Sequence, residues 1–240
     1  MKRIITLILL ITLPALTFHV TAATPQPLTE SQKQRILVLG AAVGETVYAL
    51  GAGDHVVGRD LSCQYPAELA EKPAVGYHRA LSAEGVLSLN PTAILATSEA
   101  GPPNVIAQLQ KTQLPVILLK KGHTLASLEE NIRAIGQALD ASEEAGELIT
   151  GITADLKQVP EPEEKRKVLF LLSSPGSGRY MAAGTNTAAD AMIGLAGAEN
   201  LFADMPGYKP VSAEIMTDRS PDVVLVAAGG EHGETISPER

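Results

Sequence analysis

The chain has 240 residues, 45% hydrophobic and 19% charged, ordinary proportions for a chain that buries a core, which excludes disorder as its main state. Nineteen basic against 27 acidic residues leave a formal charge of −8, excluding a nucleic-acid binder that works through a basic face. A single cysteine, Cys63, excludes an intramolecular disulfide framework and any multi-cysteine metal site.

Taken in chain order, residues 1–23 read as a cleavable secretory signal. Lys2 and Arg3 precede the apolar run Ile4 to Leu16, and Val20-Thr21-Ala22-Ala23 supplies the small residues of a cleavage site. Thr12 and Pro14 interrupt the run, which is shorter than the roughly 20 apolar residues of a membrane span. No cysteine follows it, so a lipid anchor is not expected. The expectation is a periplasmic protein with no inserted segment after cleavage.

Beyond the signal the chain repeats itself once. Arg35 to Leu39 and Lys167 to Leu171 are apolar strands, each followed by a glycine-containing turn and a helical stretch, Glu45–Leu50 and Asn186–Leu195. Ser82-Ala83-Glu84 recurs as Ser212-Ala213-Glu214 at an offset of 130, and Pro91 recurs as Pro221. In both copies serine caps a short helix, glutamate occupies its first turn, and proline ends it before a buried strand. In the first copy a helix (Asn104–Gln110) and a strand (Val116–Leu119) follow; their counterparts would fall at about 234–249, where the given sequence reaches only Arg240. Between the copies, Leu125, Leu128, Ile132, Ile135 and Leu139, then Leu148, Ile149, Ile152 and Leu156, have helical spacing. Ser142 reads as the cap of a second helix that ends before Pro160. Strands alternating with helices imply parallel sheets. The expected fold is therefore α/β: two Rossmann-like lobes with parallel sheets, 24–122 and 161–240, joined by a helical connector, 123–160, with the C-terminal lobe incomplete. A cleft between two lobes is where a ligand would sit.

Enzyme signatures are thin. Gly40-Ala41-Ala42-Val43-Gly44 lacks the spacing of a dinucleotide fingerprint, no nucleophile elbow is present, and the histidines have no metal-ligand spacing. Val75 to Leu81 differs from the rest because it brings together a phenol (Tyr77), an imidazole (His78) and a guanidinium (Arg79) just ahead of the first Ser-Ala-Glu helix. A phenolate is a suitable axial donor to ferric haem. Arg79 would favour the deprotonated phenol or pair with a propionate. Gly207-Tyr208-Lys209 stands in the same place before the second Ser-Ala-Glu helix, making Tyr208 and Lys209 candidate contacts from lobe two.

The run Gly76-Tyr77-His78-Arg79-Ala80-Leu81-Ser82-Ala83-Glu84-Gly85, with the two lobes and the signal, resembles the periplasmic haemin-binding proteins of bacterial haem ABC importers. These belong to a wider class that binds cobalamin and iron-siderophores. The resemblance covers about residues 34–228. It implies haem as a transported ligand rather than a catalytic cofactor, Tyr77 as the axial ligand of its iron, and Arg79 and His78 beside it. It further implies that Glu84 and Glu214 dock onto an inner-membrane permease dimer with its ATPase. It implies no catalysis. The competing readings are the same fold with cobalamin or a siderophore, which would not need Tyr77, a periplasmic α/β hydrolase or transferase, and a metal-ion carrier.

Overall fold

The computed structural model describes residues 27–173 and 180–228. The signal at 1–23 and the stretch from 229 onward lie outside the described residues. In chain order the elements are α1 (Glu30–Lys33), β1 (Ile36–Leu39), α2 (Ala41–Ala49), β2 (Val56–Arg59), α3 (Ala67–Ala70), α4 (Ala83–Leu87), β3 (Ala93–Ala96), α5 (Pro103–Lys111) and β4 (Val116–Leu118). Then come α6 (Leu125–Leu139), α7 (Ser142–Lys157), β5 (Lys167–Ser173), β6 (Tyr180–Ala183), α8 (Ala188–Leu195), β7 (Glu199–Asn200), β8 (Tyr208–Val211), α9 (Ala213–Asp218) and β9 (Val223–Ala228).

The first four strands form an all-parallel sheet in the order β2-β1-β3-β4. Every residue of β1 and β3 is buried, as a parallel sheet covered on both faces requires. Alternation along β1 sends Ile36 and Val38 to one face and Leu37 and Leu39 to the other. The Leu37 face packs on Val86 of α4 and on Ile106 and Leu109 of α5. The Ile36 face packs on Val43 and Val47 of α2, Ile132 and Ile135 of α6, and Ala145 and Ile149 of α7. The two connector helices thus belong to the core of the first lobe. They approach so closely that a Cβ on Gly136 would lie 2.5 Å from the Ala145 Cβ. Asp140, left-handed at φ 60°, breaks one helix from the other. The expected Ser142 cap is corrected here: Ala141 holds the N-cap position and Ser142 is the first helical residue.

The 130-residue repeat is real in three dimensions. α4 and α9 start at Ala83 and Ala213, and Ser82 and Ser212 accept hydrogen bonds from the backbone N–H three residues on. β3 runs parallel to β1 and β9 runs parallel to β5. The second sheet departs from the first in being mixed. β9 lies along one edge of β5, while the other edge of β5 is shared by parallel β7 at its start and antiparallel β6 at its end. β8 then adds antiparallel to β6. Leu169, Leu171, Ala182 and Phe202 make the core of this smaller lobe. Among the described residues β9 pairs with β5 alone, and Val224, Leu225 and Val226 are about half exposed, where β3 is fully buried between two strands. No described helix is long and apolar enough to cross a membrane.

Candidate functional site

β1 and β3 are neighbours whose chains leave in opposite directions, to β2 on one side and β4 on the other. Such a switch point opens a crevice at the carboxyl ends of the strands, where ligands of open α/β sheets bind. A cleft of about 860 Å³ lies there. Its first wall is made of the segments after β1 (Gly40 to Val43), β3 (Thr97 to Glu99) and β4 (Leu119 to Thr124). Gly40 takes φ +108°, and a Cβ on it would stand 3.0 Å from the Thr97 Cβ, so two adjacent strand ends approach as closely as they do only without one.

The opposite wall is apolar. It is formed by Ile152 and Leu156 of α7, by Val159 two residues past its end, and by Met192 and Leu195 of α8. Met192 is 65% exposed and Leu128, on the α6 side, 37%. Large apolar groups left open along a concave surface mark a place where another apolar body belongs.

The sequence-predicted residues divide. His78 and Arg79 line the cleft. Tyr77 sits beside it on the same irregular segment, 43% exposed, its ring 4.4 Å from the His78 ring between centroids, and is not among the lining residues. Arg79 forms an ion pair with Glu99 from the segment after β3. Tyr208 and Lys209 are not among the lining residues either. Gly207 exchanges hydrogen bonds with Gly184 and Thr185, which launches β8 as the outer partner of β6 and commits both residues to that sheet edge. Lobe two reaches the cleft through α8. Glu84 and Glu214 are exposed in the first turns of α4 and α9.

Sequence reasoning passed over Asp60. It follows β2, is fully buried, and gathers donors from three segments. Oδ1 accepts from the Gly40 N–H (2.8 Å), the Ser62 hydroxyl (2.9 Å) and the Cys63 thiol (3.1 Å). Oδ2 accepts from the Ser62 N–H (3.1 Å), the His78 N–H (3.1 Å) and the His78 ring at Nδ1 (2.9 Å). Burial pushes the Asp60 carboxyl up, but donation from Gly40, Cys63, His78 and Ser62 outweighs it and holds the group below its ordinary value. Burial, then donation to Asp60, pushes the Cys63 thiol up to about 12. One carboxylate thus ties the end of β1, the end of β2 and the Tyr77 segment together. Because Nδ1 donates to Asp60, the basic nitrogen of a neutral His78 is Nε2. No buried side-chain nitrogen or oxygen lacks a partner among the described residues. No sequence pattern marks a lone aspartate of this kind; its position three residues after the short apolar Val56-Val57 pair is the one trace.

No group of three or more His, Cys, Asp or Glu side chains converges among the described residues to hold a free metal ion. What the arrangement offers is a roomy, mostly apolar slot, a phenol and an imidazole at one rim, and cations at the mouth.

The fold and the cleft define a two-lobed solute-binding protein, and the sequence comparisons agree. A family model described as periplasmic binding protein matches residues 36–237, and the chain belongs to that family. Among solved structures, the periplasmic heme-binding protein RhuT from Roseiflexus is 36% identical with a TM-score of 0.76, covering 80% of this chain and 76% of that one. An ABC transporter substrate-binding lipoprotein of Bacillus subtilis, YvrC, is 28% identical over 83% of this chain. This chain spans 65% of that relative's length. A vitamin B12-binding protein of Pectobacterium carotovorum is 25% identical over 80% of this chain and 71% of its own.

Proposed function

We propose that this protein captures haem in the periplasm and passes it to an inner-membrane ABC importer, with no chemical turnover of its own. The observation that carries the reading is the apolar cleft at the sheet switch point with the Tyr77-His78-Arg79 segment at its rim. Its volume, about 860 Å³, lies in the range of about 300–1,000 Å³ that encloses small-molecule ligands. A porphyrin buries two apolar faces against walls such as Ile152, Leu156, Met192 and Leu195. Tyr77, exposed at the edge, is the oxygen donor suited to ferric iron. His78, pinned by Asp60, holds the segment that presents it. The similarity to heme-binding structures supports the same ligand, and the vitamin B12-binding relative makes cobalamin the competing one.

Glu84 and Glu214 are proposed as the two acidic contacts with the permease. They stand at equivalent positions of the internal repeat, and a dimeric permease of like halves presents two equivalent receptors. Residues 24–122 and 161–240 are proposed as the two lobes and 123–160 as the helical connector, packed on the first lobe, with the signal at 1–23 removed on export.

The test is titration of the purified protein with haemin and with cyanocobalamin, followed by absorption, in wild type and Tyr77→Ala. The expected result is haemin binding with a phenolate-ligated spectrum, lost or altered in the variant, and much weaker cobalamin binding. Tight cobalamin binding that ignores Tyr77 would overturn the reading.

A further inference from the structure

We propose that the loop joining β4 to α6 is a carboxylate clamp, with Lys121 as its cation, and that it selects a ligand carrying an acidic edge. The inference rests on the haem reading and names what distinguishes haem from a corrin at this site. Haem carries two propionates on one edge, whereas the corrin periphery carries neutral amides.

Five basic side chains line the cleft: His78, Arg79, Lys120, Lys121 and His123. Three are already matched from within the protein. His78 is held by Asp60, Arg79 pairs with Glu99, and the Lys120 ammonium donates to Glu130 Oε2 at 2.9 Å. Lys121 is different. Among the described residues no carboxylate lies within ion-pair distance of it, and it stands exposed on the cleft wall. An acidic protein has carboxylates to spare, with 27 in the chain, yet it leaves this cation open on the wall of the cleft.

The loop is also held in place before any ligand arrives. The Asn131 side chain brackets the backbone of Lys120, accepting from its N–H at Oδ1 and donating to its carbonyl from Nδ2, both at 3.0 Å. On the far side Thr124 and Ser127 close a capping box at the start of α6, with the Thr124 N–H donating to Ser127 Oγ at 3.0 Å. Between these anchors Gly122 passes so near α6 that a Cβ would meet the Ser127 Cβ at 2.4 Å. Only glycine lets the loop lie this flat, and lying flat sets Lys121 and His123 along the cleft mouth. A loop anchored on both sides loses little freedom when it engages a ligand. The apolar neighbours Leu119, Leu125 and Leu128 reduce local screening, which strengthens an ion pair relative to open water.

The experiment compares haemin with haemin dimethyl ester, which keeps the porphyrin and iron but lacks both charges, against wild type and Lys121→Ala. Lys121 is exposed, so its loss should not disturb folding. Lys121→Ala is expected to weaken haemin about three- to tenfold, the scale of a charge-assisted contact at a partly exposed site, and to leave the diester within about twofold. Raising the ionic strength should weaken haemin more in wild type than in the variant, because only wild type has the pair to screen. Gly122→Ala, which lifts the loop, should act in the same direction on haemin and spare the diester. An equal loss for both ligands, or no loss for either, overturns the clamp while leaving haem binding in place. Wild type that binds neither porphyrin overturns the haem reading itself, and the clamp with it.

Discussion

Replacement of Asp60 by asparagine tests the central structural claim about the site, that one buried carboxylate joins the cleft walls to the Tyr77 segment. The two oxygens of Asp60 each accept three hydrogen bonds, and asparagine must put an N–H₂ group where one of them stood. With the nitrogen at the Oδ2 position, two fixed backbone donors, Ser62 N–H and His78 N–H, face another donor. With the nitrogen at the Oδ1 position, only the Gly40 N–H is fixed, because the Ser62 hydroxyl can turn and accept. The second arrangement is the cheaper. It still leaves one buried N–H unpaired, at about 1–3 kcal/mol, and it removes the charge that strengthens the remaining bonds. A loss of about 3 kcal/mol follows, which for a chain of this size lowers Tm by roughly 6–12 °C. Thermal unfolding followed by circular dichroism at neutral pH measures it. A shift of less than about 2 °C would refute the hub. The acid behaviour gives a second reading of the same variant. Since the folded carboxyl lies below its ordinary value, its contribution is complete above about pH 4 and is lost as pH falls through the lower folded value. Wild type should therefore lose stability steeply in that acid window, and Asp60→Asn should show a shallower slope there.

Cys63, buried and with its thiol pushed up to about 12, should react with a thiol reagent at pH 8 at least about a thousandfold more slowly in the native protein than in urea, where its pKa returns to about 8.5; comparable rates would contradict the burial. Gly136→Ala forces a methyl group against Ala145 in the α6–α7 seam and should cost about 1–3 kcal/mol, read as a lower urea midpoint. An unchanged midpoint would mean that the two helices separate without penalty. Charge reversal at both Glu84 and Glu214 should abolish ligand transport in cells while haemin affinity of the purified protein stays within twofold. Normal transport would remove their docking role.

How much of this was legible beforehand depended on whether the signal was local. β1 is a short unbroken apolar run, and burial on both faces of a parallel sheet is what such a run encodes. α6 and α7 show their apolar stripes at helical spacing, and the repeated Ser-Ala-Glu start marked α4 and α9 to the residue. β2 was not foreseen, since Val56 to Arg59 is only four residues long and contains a glycine. β6, β7 and β8 are pieces of two to four residues, too short for a periodicity to announce them, and the β5–β7 and β6–β8 pairings join residues more than 20 apart. The same limit hid Asp60, whose donors come from residues spread between Gly40 and His78. Tyr208 and Lys209 looked equivalent to Tyr77 and Arg79 because a Gly-Tyr pair precedes the Ser-Ala-Glu helix in both copies. The antiparallel β6–β8 ladder carries them to a sheet edge instead.

By itself the sequence determined the α/β class, the internal duplication, the helical pair between the copies and the Tyr77 to Arg79 segment, because each is encoded by neighbours along the chain. Only the tertiary structure decided that the helical pair packs into the first lobe, that α8 supplies the second wall of the cleft, and that Lys121 lines that cleft with no acid within ion-pair distance among the described residues. The physical reason is common to all three. Packing, burial and charge pairing are set by groups that meet across tens to hundreds of residues, and composition and periodicity carry no record of those meetings.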